Sequence, residues 1–141
     1  MITFNLVTND FSCMPTKATS ASAGYDLRAY IQEAITIHPG KTAVIPTGIS
    51  TSFGKHIVGM ICSRSGLAVK HQVFVLNSPG IIDADYTDEI KVILMNMGTE
   101  VFVVEPLNRI AQIVFTQVAD PFGQNTVSAT RTGGFGSTGT E

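Results

Sequence analysis

The stretch EIKVILMNMGTEVFVVEPLNRIAQIVFTQV, residues 89–118, decides the fold class. It holds three runs, 89–97, 100–105 and 109–118, rich in Val, Ile, Phe and Thr and bounded by Gly, Pro, Asn or Asp. Such residues fit a pleated, half-buried surface, and turn formers at this spacing mark the ends of short strands. No sustained helical periodicity runs through the stretch, so it reads as strand, turn, strand. The texture continues upstream in ITFNLV (2–7), KTAVIPTGIST (41–51), HIVGMIC (56–62) and QVFVLN (72–77). Turn signals roughly every ten residues predict an all-β domain: a sandwich, jelly roll or barrel. GLAVKH, 66–71, is the short helix candidate, with Ser63 and Ser65 ahead of it as possible caps.

Composition bounds the function classes. A chain of 141 residues has the length of one domain with a core that needs no metal or disulfide support. Hydrophobic residues make up 44% and charged residues only 14%, which points to a homo-oligomer that buries the apolar excess. Cys13 and Cys62 form no CxxC unit and fit a reduced, cytoplasmic setting, with Cys62 beside Ile61 read as core. The first residues, MITFNLVTNDFSC, lack a basic segment followed by a long apolar one, and no apolar run reaches bilayer-spanning length. Secretion and membrane insertion are therefore not expected. A net charge of −2 with scattered Lys and Arg leaves no footprint for a nucleic-acid polymer.

From about Phe122 the apolar alternation stops, and residues 123–141 read as a flexible C-terminal arm on a barrel of residues 1–122. The arm ends RTGGFGSTGTE, in which Gly134, Gly136 and Gly139 satisfy GxGxxG, yet too little chain follows to form the helix that a dinucleotide site needs. Glycines that let N–H groups approach an anion, with Arg131, Ser137 and Thr138 as donors, leave phosphate binding open beside a plain tail. CSRSGLAVK, 62–70, is a second candidate, where Arg64, Ser65 and Gly66 open the short helix; an ordinary capped turn is the other reading.

Asp83, Asp85, Asp88 and Glu89 crowd into IIDADYTDEI, and Asp26 stands in SAGYDLRAY. If 83–85 is extended, Asp83 and Asp85 share a face, one as general base and the other near a divalent metal; a solvated turn is the alternative. Ile81, Ile82 and Tyr86 favour burial of Asp83, which would tune its carboxylate. His38, His56 and His71 have no metal-ligand spacing, and GxSxG, HExxH and GxxxxGK[ST] are absent. Metal-assisted chemistry on a phosphorylated ligand is what remains.

Taken in order, SAGYDLRA (22–29), SRSGLA (63–68), NSPGIIDADY (77–86), RIAQIVF (109–115) and GGFGSTG (133–139) resemble the five ordered motifs of the trimeric deoxyuridine triphosphatases, the dUTPases. The resemblance implies a jelly-roll-like β-barrel and a homotrimer with active sites at its interfaces. It implies Mg²⁺-dependent cleavage of dUTP to dUMP and pyrophosphate. By position, Asp83 resembles the base that activates the attacking water, and Asp26 the aspartate near the metal's water shell. No direct protein ligand to Mg²⁺ is implied. Arg64, Ser65, Gly66 and Gln112 match phosphate contacts, with Ser65 placed among the catalytic residues. Asn77 matches the uracil-reading residue, and Tyr86 the aromatic wall that excludes a 2′-hydroxyl. Phe135 would stack on uracil while Arg131, Gly136, Ser137 and Thr138 close over the triphosphate.

Three positions depart from the family pattern: Ser63 stands for the usual proline, Thr87 and Asp88 for Arg and Gly, and Arg131 lies four residues before Phe135 instead of five. Two other readings are a dUTPase-like protein that binds or regulates without turnover, and a dCTP deaminase of the same fold. The latter would need a glutamate base near the pyrimidine.

Overall fold

The computed structural model describes residues 1–119 and 130–136. Its strands are β1 (Thr3–Leu6), β2 (Tyr25–Arg28), β3 (Ile35–Ile37), β4 (Thr42–Pro46), β5 (Ile49–Ser52), β6 (Ile57–Cys62), β7 (Val73–Val75), β8 (Gly80–Ile82), β9 (Lys91–Asn96), β10 (Phe102–Val104) and β11 (Arg109–Gln117). One α-helix, α1 (Ser65–His71), lies among the described residues, so the all-β expectation with a short helix holds. The boundary expected at 122/123 lies outside the described residues.

Two larger sheets enclose the core together with two antiparallel strand pairs, β1–β5 and β3–β10. β2, β11, β6 and β8 form one in that order, and β4, β9 and β7 the other, all antiparallel. Strand alternation explains the filling: Val92 and Leu94 of β9 point inward while Ile93 and Met95 do not. In β11 two neighbours, Ile110 and Ala111, are both buried because the register with β2 shifts between Arg109 and Ala111. Leu27, Ile37, Ile45, Ile61, Val73, Val104 and Ile113 complete a single cluster with these residues. Cys62 is not part of it: Ile61 takes the inward side of β6, so Cys62 faces out and is half-buried, and both cysteines are free thiols.

The run 41–51 is two strands because Gly48 breaks it. Gly48 has φ +70°, and a Cβ there would lie 2.9 Å from Cys13 Sγ and from the Tyr30 ring, so only glycine fits without a shift. The helix also differs from expectation at its start. Arg64 occupies the N-cap position with no side-chain cap, and Ser63 Oγ instead accepts the Val75 N–H at 3.0 Å, fastening α1 to β7. At its other end Gln72 turns left-handed and donates its N–H to Ala68 O and Leu67 O.

Asn96 is the polar clasp of the core. Fully buried, it donates to Ile37 O and Glu100 O, both at 2.8 Å, and accepts the Gly98 N–H at 2.9 Å. Asn96→Ala removes three hydrogen bonds from a buried side chain, strands the buried Ile37 carbonyl, and is expected to destabilise the fold by about 2–4 kcal/mol, read from denaturant midpoints. A loss below about 1 kcal/mol would contradict that role.

Candidate active site

Two groups of side chains carry the sequence candidates, and one sheet holds them apart. The first sits on the β2 edge. Asp26, Gln112 and Cys62 stand opposite one another across β2, β11 and β6, hence on one face. Arg64 Nε donates to Asp26 Oδ1 at 3.0 Å, and Arg109 Nη1 to Asp26 Oδ2 at 3.2 Å. Arg64 Nη1 also donates to Arg109 O at 3.0 Å, and Gln112 Nε2 to Ser63 O at 3.0 Å. Gly24 permits this packing, since a Cβ there would come within 2.4 Å of Gln112 Oε1. Ser65 and Gly66 are exposed beside this group, and nothing lies within 4 Å of where a Gly66 Cβ would stand.

Arg109 was not singled out from sequence, although it opens the fourth motif. Alternation alone does not mark it, since it lies three positions from Gln112; the register shift between Arg109 and Ala111 sets it opposite Arg28, with the Asp26 carboxylate in reach.

The second group surrounds the loop after β8. Asn77, Ile81, Tyr86, Lys91, Arg131 and Phe135 are among the residues that line a cavity of about 160 Å³. Residues 83–86 form a turn closed by Tyr86 N–H to Asp83 O at 3.1 Å, so 83–85 is not extended. The two carboxylates nevertheless converge. Arg131 Nε donates to Asp85 Oδ1 at 2.8 Å and Nη2 to Asp83 Oδ2, while Nη1 donates to Gly133 O at 3.1 Å. The hydrogen bond to Asp85 is the main cause holding the Arg131 pKa above its ordinary value, with both carboxylates' charge adding to it. The Asp83 side chain is 51% exposed, so the expected burial does not hold: it stands in the turn after β8 with its carboxylate on Arg131, which lines the cavity.

Tyr86 packs between these elements. Its hydroxyl donates to Glu89 O at 2.8 Å, the Arg131 guanidinium lies 5.8 Å from its ring centre, and Gly134 runs so close that a Cβ would meet the ring at 2.9 Å. Burial first, then the Asp88 and Glu89 carboxylates, push the Tyr86 pKa up, which keeps the phenol a donor. Phe135 follows with φ 49°, a left-handed conformation unusual for an aromatic, and leaves 61% of its surface exposed beside Gly136 at φ +93°. Ser137 and Thr138 lie outside the described residues.

Within one chain the groups do not meet. Asp26 is on the first strand of the sheet and Asp83 follows the last, three strand spacings away, or about 14 Å. Along the strands Asp26 is level with Cys62, whereas Ile82 is level with Gly59, which adds roughly 10 Å. Among the described residues no group of three or more His, Cys, Asp or Glu could hold a metal.

A sequence model of the dUTPase family matches residues 11–139. The deoxyuridine 5′-triphosphate nucleotidohydrolase of Chlamydia muridarum is 50% identical over 133 residues, covering 91% of this chain and 92% of that relative. A crystal structure of the dUTPase from Streptococcus mutans superposes with a TM-score of 0.78 at 30% identity, over 85% of this chain and 98% of the other. The dUTPase of phage phi11 of S. aureus, described as coordinating a structural Mg(II) ion, gives a TM-score of 0.76 at 21% identity over 92% of this chain and 97% of that one. The jelly-roll-like barrel is thus the fold seen here, and the chain belongs to the dUTPase family.

Proposed function

We infer that the chain hydrolyses dUTP to dUMP and pyrophosphate, and that Asp83 is its general base. The observation that supports this reading is the ion pair between the Asp83 carboxylate and Arg131, which lines one cavity with Asn77, Tyr86 and Phe135. A pyrimidine reading group, a sugar wall and a carboxylate converge there. Water held by Asp83 attacks the α-phosphorus. Its proton passes to the carboxylate, the bond from phosphorus to the bridging oxygen breaks, and pyrophosphate leaves with the electron pair.

Arg131 links this step to the arm. Its guanidinium rests on Asp83 and Asp85. A triphosphate offers a competing, more highly charged partner, and its binding would draw Arg131 off the base as the arm, residues 123–141, closes. Phe135 then stacks on the uracil, with Gly136, Ser137 and Thr138 along the phosphates. Uracil contacts at Asn77 reject cytosine because the site's own groups would be left unpaired.

Asp26, Arg64, Ser65, Gly66 and Gln112 are the proposed phosphate side of the site. Since one chain holds them at the far edge of the sheet, a neighbouring copy supplies them, and we propose a homotrimer. Exposed Val44, Val69, Ile81, Met97 and Val101 offer apolar surface for the contacts between copies. The donor set suits Mg²⁺ carried in on the substrate: both Asp26 oxygens already accept from arginines, and this ion keeps waters and phosphate oxygens. When bound it supplies charge neutralisation on the triphosphate. No described helix is long and apolar enough to cross a membrane, and the two free thiols fit the proposed cytoplasmic setting.

With Mg²⁺ present, pyrophosphate release is expected from dUTP and hardly from dTTP, dCTP or UTP, and equal turnover of the four would overturn the reading. Asp83→Asn should lower kcat by about 10²–10⁴-fold with little change in KM; an unaltered kcat would remove the base. Deleting residues 131–141 is expected to collapse kcat while sedimentation still reports the intact oligomer.

A further inference from the structure

Taking Tyr86 as the sugar wall, we propose that Glu89 is a positioning residue that fixes the Tyr86 ring and thereby sets the discrimination against a 2′-hydroxyl. Tyr86 has one polar tether among its described contacts, the 2.8 Å bond from its hydroxyl to Glu89 O. The direction of that carbonyl depends on what holds residue 89. Glu89 Oε1 accepts the Gly48 N–H at 2.8 Å, across 41 positions of sequence and in partly buried surroundings.

Gly48 is a firm anchor. Its left-handed backbone is packed against Cys13 and Tyr30, with no room for a Cβ. The next residue is clamped to the same turn: Thr47 donates to Ile90 O from N at 3.2 Å and from Oγ1 at 2.7 Å, and Ile90 donates to Ile49 O at 2.8 Å. The loop therefore becomes rigid at residues 89 and 90, and Tyr86 hangs from that point. Asp83 shares the 83–86 turn with Tyr86 but follows β8 directly, so loss of the tether moves the sugar wall more than the base.

Glu89→Ala deprives the Gly48 N–H of its acceptor and loosens the 47–49 turn to which the Glu89–Ile90 peptide is bonded, so that peptide and its carbonyl shift with the turn. The ratio of kcat/KM for dUTP to that for UTP is expected to fall by about tenfold, through a raised KM for dUTP and a gain for UTP, with kcat for dUTP little changed. Glu89→Gln keeps a carbonyl oxygen at the same place and should return the ratio to within about twofold of the parent. A general loss of stability would lower both nucleotides alike and leave the ratio unmoved.

Tyr86→Phe cuts the same tether from its other end, keeps the ring, and tests the link should Glu89→Ala not fold; it too should lower the ratio. A ratio within about twofold of the parent in both the Ala and Phe variants overturns the role of Glu89, as does a Gln variant no better than Ala. A parent protein without preference for dUTP over UTP overturns the reading of Tyr86 itself.

Discussion

Strand order in one sheet is the constraint from which the functional account follows. β11 and β6 lie between β2 and β8, so the Asp26 cluster and the Asp83 loop are fixed at opposite edges of a hydrogen-bonded ladder. A ladder of this kind cannot fold back on itself without breaking its backbone bonds and opening the core beneath Leu27, Ile61 and Ile113. Each edge is also tied down locally, the first by two arginines on one carboxylate, the second by the turn at residues 83–86. The proposed site has half of its residues on each edge and so calls for another copy to complete it. The low content of charge and the exposed apolar side chains are what a chain with that requirement should show.

The second half-site contains its own closure. Arg131 bridges two carboxylates that would otherwise repel, and Gly134 lies against Tyr86, so this piece of the arm rests over the cavity it is proposed to seal. Phe135, four residues after Arg131, and Gly136 after it both take positive-φ backbone. Ordering glycine-rich chain costs roughly 1–2 kcal/mol per residue, and the ion pairs at its start offset only a small part, being partly exposed to solvent. Contacts to nucleotide would supply the rest. Glu89 accepts the Gly48 N–H, and the glutamate base that a deaminase would need is not among the described residues that line the cavity.

Long, strongly alternating strands were legible in the sequence. β9 and β11 follow the quoted stretch almost to the residue because burial of every second side chain overrides local preference there. β2, β3 and β8 were not legible as strands: YDLR, ITI and GII sit in mixed sequence with no longer apolar run around them, unlike the equally short β7 and β10, and their pairing partners are remote. That matters for function, since β2 and β8 are the edges that carry the two half-sites. The motifs located Asp26, Asp83, Tyr86 and Arg131, yet could not show that Asp83 stays half exposed or that Ser63 fastens β7 instead of capping α1. Arg109 and Glu89 were missed for one reason. Each acts through a partner brought close only by the fold, Asp26 from 83 positions away and Gly48 from 41.

The central claim is that a working site joins the β8 edge of one chain to the β2 edge of another. It is tested most directly by mixing two inactive proteins, Arg64→Ala and Asp83→Asn, under conditions that exchange subunits, and measuring dUTP turnover. A ring of three with equal mixing leaves one intact site in each mixed trimer, so about a quarter of the parent activity should return. Activity no higher than the sum of the two variants alone would contradict the shared site.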